Sequence, residues 1–226
     1  MSVLLLVRHG QASFGKRDYD VLSERGHEQA TILGKALAAR GIRPDHVIHG
    51  GMRRQADTAA GIIGAAGWSV DPVTDDGWAE FDHEDVIAGH RPAYRHSSLM
   101  KADLARTLKP RKAFQTMFVE ATGRWSAGKH DDHYRETFGS FCSRIESSLR
   151  VAAEGSGTTV VVTSGGVIGV IASRLLTGST AIWSDLNSVT INTGVTKIIS
   201  GSSGLTLVSL NEHTHLEHDS SLITYR

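Results

Sequence analysis

Residues 3–7 read Val-Leu-Leu-Leu-Val, a continuous apolar run of strand length. Such a run predicts a strand buried on both faces, because a half-exposed strand would alternate apolar and polar positions. A polar loop follows. Leu22-Ser23-Glu24-Arg25-Gly26 then leads into Ala30, Leu33 and Leu37 at helical spacing, with Ser23 as the N-cap and Gly41 as the stop. Residues 46–49 predict a second short strand, broken by Gly50-Gly51, and residues 54–63 a second helix with Ala56, Ala59, Ala60 and Ile63 on one side. Residues 68–73 predict a third strand. This alternation of strand and helix predicts an α/β sheet with parallel neighbours.

The pattern changes over residues 82–135, which are polar, rich in Arg, Lys and His, and without strand periodicity. One long helical stretch there is interrupted near Pro110. Lacking the Gly/Ser or Pro richness of a linker, the segment reads as a helical insertion over the end of the sheet. Helical spacing returns with Phe138, Phe141, Cys142, Ile145 and Leu149. A strand over 158–163, a helix over 166–176 and two β-rich segments, 189–199 and 205–210, complete the chain. Gly201-Ser-Ser-Gly204 joins the last two as a hairpin by its turn chemistry.

Composition narrows this picture. With 40% hydrophobic and 21% charged residues the 226-residue chain can bury a full core, as one α/β domain carrying an insertion or as two small domains. Lys plus Arg and Asp plus Glu both number 24, so nothing global favours nucleic acid or an anionic membrane, and any basic site must be local. A single cysteine, Cys142, excludes an internal disulfide and a multi-cysteine metal site. The twelve histidines show no metal-ligand spacing; His213 and His215 would share a face on an extended strand, where a surface or core role is the commoner one. The opening apolar run is too short for a signal peptide, and the expected setting is cytoplasmic.

Four stretches fall where an α/β fold builds its site, at the C-terminal ends of strands. Arg8-His9-Gly10 follows the first strand directly. An Arg and a His at the rim of a buried strand are costly unless they are paired or face a ligand. Arg53-Arg54-Gln55 opens the second helix, where a guanidinium suits a phosphate, although an isolated Arg pair is more commonly solvated. Trp78-Ala-Glu80-Phe-Asp82 sets a carboxylate among bulky apolar residues; burial would keep Glu80 partly protonated, and a capping glutamate is equally ordinary. Ser164-Gly165-Gly166 stands between strand and helix. It is not G-x-S-x-G, since Val162 occupies the first glycine's place, so a serine nucleophile is the weakest reading. The amides of Gly165 and Gly166 could cradle an anion, with Ser164 as an N-cap.

Taken in order, LLLVRHGQ, LSERGHEQA, RRQADTA, WAEFD, VVVTSGGVI and NEHTHL resemble the histidine phosphatase superfamily across residues 4–216. The resemblance implies a three-layer α/β/α sandwich around a mostly parallel sheet, phosphoglycerate mutase-like, in a single domain spanning residues 1–226 with the 82–135 insertion over the active site. It implies a phosphomonoesterase of the histidine acid phosphatase type, acting on a phosphorylated small molecule without metal or cofactor, nucleic acid or membrane; oligomeric state stays open. His9 would be the nucleophile that becomes phosphohistidine. Arg8 and Arg54, the latter four residues before Thr58, would clamp the phosphoryl oxygens with Ser164, Gly165 and Gln11 beside them, and Glu80 would protonate the leaving group. Mutase members carry an extended insertion and substrate residues that 82–135 does not match, which leaves a mutase as the alternative.

The chain departs from the family's pattern at two positions. Ser164 stands where a second histidine is usual, and a serine brings one donor but no charge. Losing a donor of this kind typically costs on the order of 10²–10³ in rate. That admits a weakly active or inactive phospho-ligand binder as a further alternative, or a substitute histidine such as His49 or His83. Gly50 stands where a hydroxyl-bearing residue is more usual, and the first loop offers Gln11 and Ser13 in place of an asparagine. The insertion's Arg91, Arg95, Lys101, Arg106 and Lys109 could line an anionic path, although a charge-rich helix is usually a solvated face.

Overall fold

The computed structural model describes residues 1–13 and 20–225, so residues 14–19 of the first loop lie outside the described residues. The described chain forms two compact units, residues 1–80 with 145–226, and residues 81–144.

The first unit is built on the predicted apolar run. β1 (Ser2–Arg8) leads through the loop to α1 (Glu24–Ala39), β2 (His46–His49), α2 (Arg53–Ala66) and β3 (Pro72–Thr74). Ser23 caps α1 as its sequence position implies, its hydroxyl accepting from the Gly26 amide at 3.1 Å. The third strand is shorter than the pattern over 68–73 suggests. Trp68 and Val70 pack against the core ahead of it, and the Trp68 indole donates to Ile42 O at 3.0 Å, which holds that segment off the sheet.

The second unit is helical: α3 (His83–His90), α4 (Ser97–Ala105), α5 (Pro110–Ser126) and the first turns of α6 (Phe138–Glu154). Pro110 starts α5, where its missing N–H and fixed φ are tolerated, and this accounts for the break read there. The helical unit extends past residue 135 to 144 for a packing reason. Phe138 and Phe141 lie 5.1 and 5.4 Å from the Trp125 ring, and Phe81 lies 4.9 Å from it, so the start of α6 completes this unit's aromatic core. Arg91, Arg95, Lys101, Arg106 and Lys109 are all exposed, in keeping with a solvated face.

The chain returns to the first unit through the end of α6 and enters β4 (Gly157–Thr163), α7 (Gly165–Thr177), α8 (Trp183–Val189), β5 (Val195–Gly201) and β6 (Gly204–Glu212). The 189–199 segment is therefore not strand throughout: its first residue ends α8, and pairing begins only at Val195. The sheet order is β3-β2-β4-β1-β5-β6, with parallel pairing from β3 to β1 and antiparallel pairing of β5 with β1 and β6. On one face Leu5, Val7, Val47, Val160, Val162 and Val195 pack with Leu33 and Leu37 of α1 and Ala59 and Ile62 of α2. The alternate residues Leu4, Leu6, Val161 and Ile198 are fully buried on the other face, as is α7 through most of its length. No helix among the described residues is long and apolar enough to cross a membrane.

Two central strands run parallel with Arg8 paired to Thr163, so residues 9 and 164 leave neighbouring strand ends together. This pairing positions the site.

Candidate active site

His9 lies where β1 ends. Its backbone N–H donates to Thr163 O at 2.8 Å, and its carbonyl accepts from Asn192 Nδ2 at 2.9 Å. The turn beyond it is exceptionally close: a Cβ on Gly10 would meet Gly26 O at 2.5 Å, and one on Gly26 would meet Gln11 O at 2.3 Å. Only two glycines allow this loop to cross the start of α1. Gly10 N–H donates to Thr58 Oγ1 at 3.0 Å, and Thr58 Oγ1 in turn donates to Arg54 O at 2.6 Å, which ties the loop to the first turns of α2.

The His9 ring is buried, with Nδ1 2.8 Å from Gly10 O. A carbonyl can only accept, so the proton sits on Nδ1 and the Nε2 lone pair is left outward. Arg54 Nε donates to that lone pair at 3.1 Å. Burial holds the His9 pKa well below its ordinary 6.5, and the charges of Arg54 and Arg8 lower it further, against the Gly10 bond that raises it. The ring is a neutral base with a defined tautomer. Because its folded pKa is depressed, the stability it contributes is complete above about pH 6.5 and is lost as the pH falls below that value toward the folded pKa. We expect the acid limb that His9 imposes on kcat/KM to fall well below pH 6.5. An aryl phosphate pH profile corrected for substrate ionisation checks this; a His9 limb at 6.5 or above would contradict the buried neutral ring.

Arg54 is itself aimed. Its Nη1 donates to Asp20 Oδ1 at 2.7 Å, and Asp20 Oδ2 accepts from the Arg53 amide at 2.9 Å. Its side chain is 6% exposed and that of Asp20 38%, so the ion pair orients the guanidinium more than it stabilises the fold. Arg8 Nη1 donates to the carbonyls of Thr190 and Tyr225, the latter at 2.8 Å. Thr193 supports the same strand end: its amide donates to Arg8 O at 2.9 Å from a left-handed backbone at φ 58. A β-branched residue held there typically costs on the order of 1–3 kcal/mol.

Glu80 is half-buried, and its Oε2 accepts from the Gly166 amide at 2.9 Å in the first turn of α7. Gly166 N–H therefore holds the carboxylate in place of the anion expected from the sequence. The departure at Gly50 has a steric cause in the same region. A Cβ there would lie 2.4 Å from Trp78 C and O and 2.5 Å from Ala79 N, so any side chain would push away the backbone that presents Glu80. Gly165 is similarly confined, its absent Cβ falling 2.4 Å from Asn187 Oδ1.

Ser164 is N-terminal to α7 in an extended conformation, but its hydroxyl does not cap the helix; it accepts from Gln55 Nε2 at 2.9 Å. Gln11 accepts the Ser23 hydroxyl at Oε1 or at its carbonyl, and its amide donates to Gln29 Oε1 at 2.8 Å, so it braces the loop. His49 faces Gly51 N at 3.2 Å and Thr74 Oγ1 at 3.4 Å, while His83 begins α3 of the helical unit. His215 lies in a short turn over Thr214–Leu216, not on a strand with His213; its Nε2 is 3.2 Å from Thr193 Oγ1, and burial, with His213 and other neighbouring charges, lowers its pKa to about 4. Asp20, Gln55 and Asn192 carry no motif of their own in the sequence, and Thr58 serves there only to place Arg54 four residues before it. The adjacency of Gln55 to Arg54 in a helix's first turn was the one available signal.

A family model described as the histidine phosphatase superfamily (branch 1) matches residues 4–213. The chain belongs to this superfamily. A 2,3-bisphosphoglycerate-dependent phosphoglycerate mutase of Mesorhizobium japonicum is 35% identical over 91 residues, 37% of this chain and 44% of the mutase, so the match spans less than half of that relative. Among solved structures, phosphoglycerate mutase of Bacillus anthracis superposes with a TM-score of 0.63 at 19% identity, covering 96% of this chain and 95% of that one. A mycobacterial glucosyl-3-phosphoglycerate phosphatase gives 0.61 at 21% identity, covering 94% and 99%. These superpositions show the phosphoglycerate mutase-like α/β sandwich shared with this superfamily member.

Proposed function

We propose that the chain is a phosphomonoesterase that works through a phosphohistidine at His9. The observation that carries this is the His9 ring, buried and neutral, with its proton held on Nδ1 by Gly10 O and its Nε2 lone pair 3.1 Å from Arg54 Nε. On substrate binding, Arg54 exchanges the imidazole for a phosphoryl oxygen. The Nε2 lone pair then bonds to phosphorus as the ester P–O bond breaks, and Glu80 delivers its proton to the departing oxygen. The ring's new positive charge is stabilised through Nδ1–H and Gly10 O. In the second step water attacks phosphorus, its proton passes to the Glu80 carboxylate, and the P–N bond breaks to return neutral His9 and inorganic phosphate. Arg8 adds positive charge at the strand end, and Ser164 offers a hydroxyl donor.

A phosphoglycerate mutase is the second reading, favoured by the mutase relatives at 35% identity over their matched part. Phosphatase is preferred because the residues of 82–135 do not match the insertion of mutase members. The two differ in the fate of the phosphoryl group. Quenching the protein during turnover of a ³²P-labelled monoester should trap acid-labile, base-stable label on the chain. With phosphoglycerates, phosphate release should exceed isomerisation. A dominant isomerase activity would replace this reading, and an absence of both label and phosphate across a broad panel of monoesters would leave a phospho-ligand binder.

A further inference from the structure

Ser164 is 1% exposed and Gln55 is fully buried, and the bond between them fixes what the serine can do. We propose that Gln55 is a positioning residue that makes the Ser164 hydroxyl a donor toward a phosphoryl group bound at His9. Gln55 Oε1 accepts from the Met52 amide at 3.4 Å, while Nε2 lies 2.9 Å from Ser164 Oγ and 3.4 Å from Trp78 O. The outer contacts are long, yet both orient the amide the same way. Flipped, it would set its oxygen against the Trp78 carbonyl and its NH₂ against the Met52 N–H.

With Nε2 donating, Ser164 Oγ must accept from it. A hydroxyl has one proton, which is then directed away from Gln55. Trp78 O, which shares the Gln55 amide with Ser164, already accepts from Thr163 Oγ1 at 2.6 Å as well as from Gln55, which occupies both of its lone pairs. The Arg8–Thr163 register sets residues 9 and 164 at adjacent strand ends, and Gln55 directly follows the arginine that touches His9. A phosphoryl group bound at His9, on the neighbouring strand end, is the acceptor the proposal assigns to that proton. The ligand rests on the phosphomonoesterase reading, but turnover does not enter the positioning role.

The test uses orthovanadate, which adopts the shape of a phosphoryl group in transfer, with affinities measured by calorimetry beside kcat and KM for an aryl phosphate. Gln55→Met keeps the volume and removes the donor; Ser164→Ala removes the hydroxyl. Each single variant should weaken vanadate about tenfold and lower kcat with KM nearly unchanged, as expected for one hydrogen bond. The double variant should be no weaker than either single one. Wild-type vanadate affinity in Gln55→Met, or losses that multiply in the double variant, would overturn the proposal. Where Gln55→Met does not fold, Gln55→Glu replaces it: its acceptor draws the serine proton inward, and comparison in the Ser164→Ala background removes the effect of its charge. If the wild type binds vanadate but releases no phosphate, the phosphomonoesterase reading fails while the cycle still decides the role of Gln55. No vanadate binding by the wild type would overturn both.

Discussion

His9→Ala protein should fold, bind inorganic phosphate, and release phosphate from an aryl monoester roughly 10⁴–10⁶-fold more slowly than wild type, the scale seen when a nucleophile is removed from an enzyme that acts through one. The fold should survive because the hydrogen bonds that tie residue 9 to the neighbouring strand and to Asn192 are made by its backbone. Its N–H donates to Thr163 O and its carbonyl accepts from Asn192, and neither needs the imidazole. Phosphate binding should persist because Arg54 Nε, which donates to His9 Nε2 in the free protein, is released to the ligand. Circular dichroism, phosphate calorimetry and a phosphate-release assay separate these effects. Retention of a tenth or more of the wild-type rate would remove His9 from the chemistry and return attention to Ser164.

Arg54→Lys should lower kcat/KM by about 10²–10³, although the formal charge is unchanged. The guanidinium donates in two directions, through Nε to His9 and through Nη1 to Asp20 at 2.7 Å. A lysine ammonium is a single point on a flexible stem and cannot hold both partners in one plane. Asp20→Asn is the informative companion, since it leaves the arginine in place but weakens its anchor; its loss should be smaller than that of Arg54→Lys. If Arg54→Lys kept near-wild-type kcat/KM, bidentate geometry would not be what the site requires.

Local signals announced most of the frame. The unbroken apolar run of β1, the Ser23 cap and the Gly-Ser-Ser-Gly turn between β5 and β6 depend on nearest neighbours, and each appears where it was read. Readings that failed depended on distant packing. The β-rich reading of 189–199 starts too early: Val189, a residue that favours strands, ends α8, whose backbone nests on α7 at Gly169, where a Cβ would meet Trp183 O at 2.6 Å. Phe138 and Phe141 were assigned to a helix correctly, but their membership of the helical unit follows from their rings meeting Trp125, which no periodicity encodes. At the candidate site, Arg8 and His9 stand out as costly residues at a strand end, Arg54 as a guanidinium at a helix start and Glu80 as a carboxylate among bulky apolar residues. Their supports do not: Asp20, Gln55 and Asn192 are ordinary polar residues whose significance lies in the partner they meet across the fold. The serine was visible as a departure, whereas the glutamine that accompanies it could not be linked to it without coordinates.

The pairing of β1 with β4 also bears on how the protein comes to be active. β4 lies between β1 and β2 in the sheet although it follows both in the chain, with the whole helical unit intervening. The earlier strands cannot close on each other and must leave a place for a strand that arrives after it. Joining such remote segments incurs loop-closure entropy before any pairing compensates it, and sheets of this connectivity fold slowly. His9 and Ser164 meet only when this insertion is complete. The candidate site is therefore one of the last features the chain assembles, and a fragment ending before Gly157 would retain His9 but lack the strand end that carries Ser164.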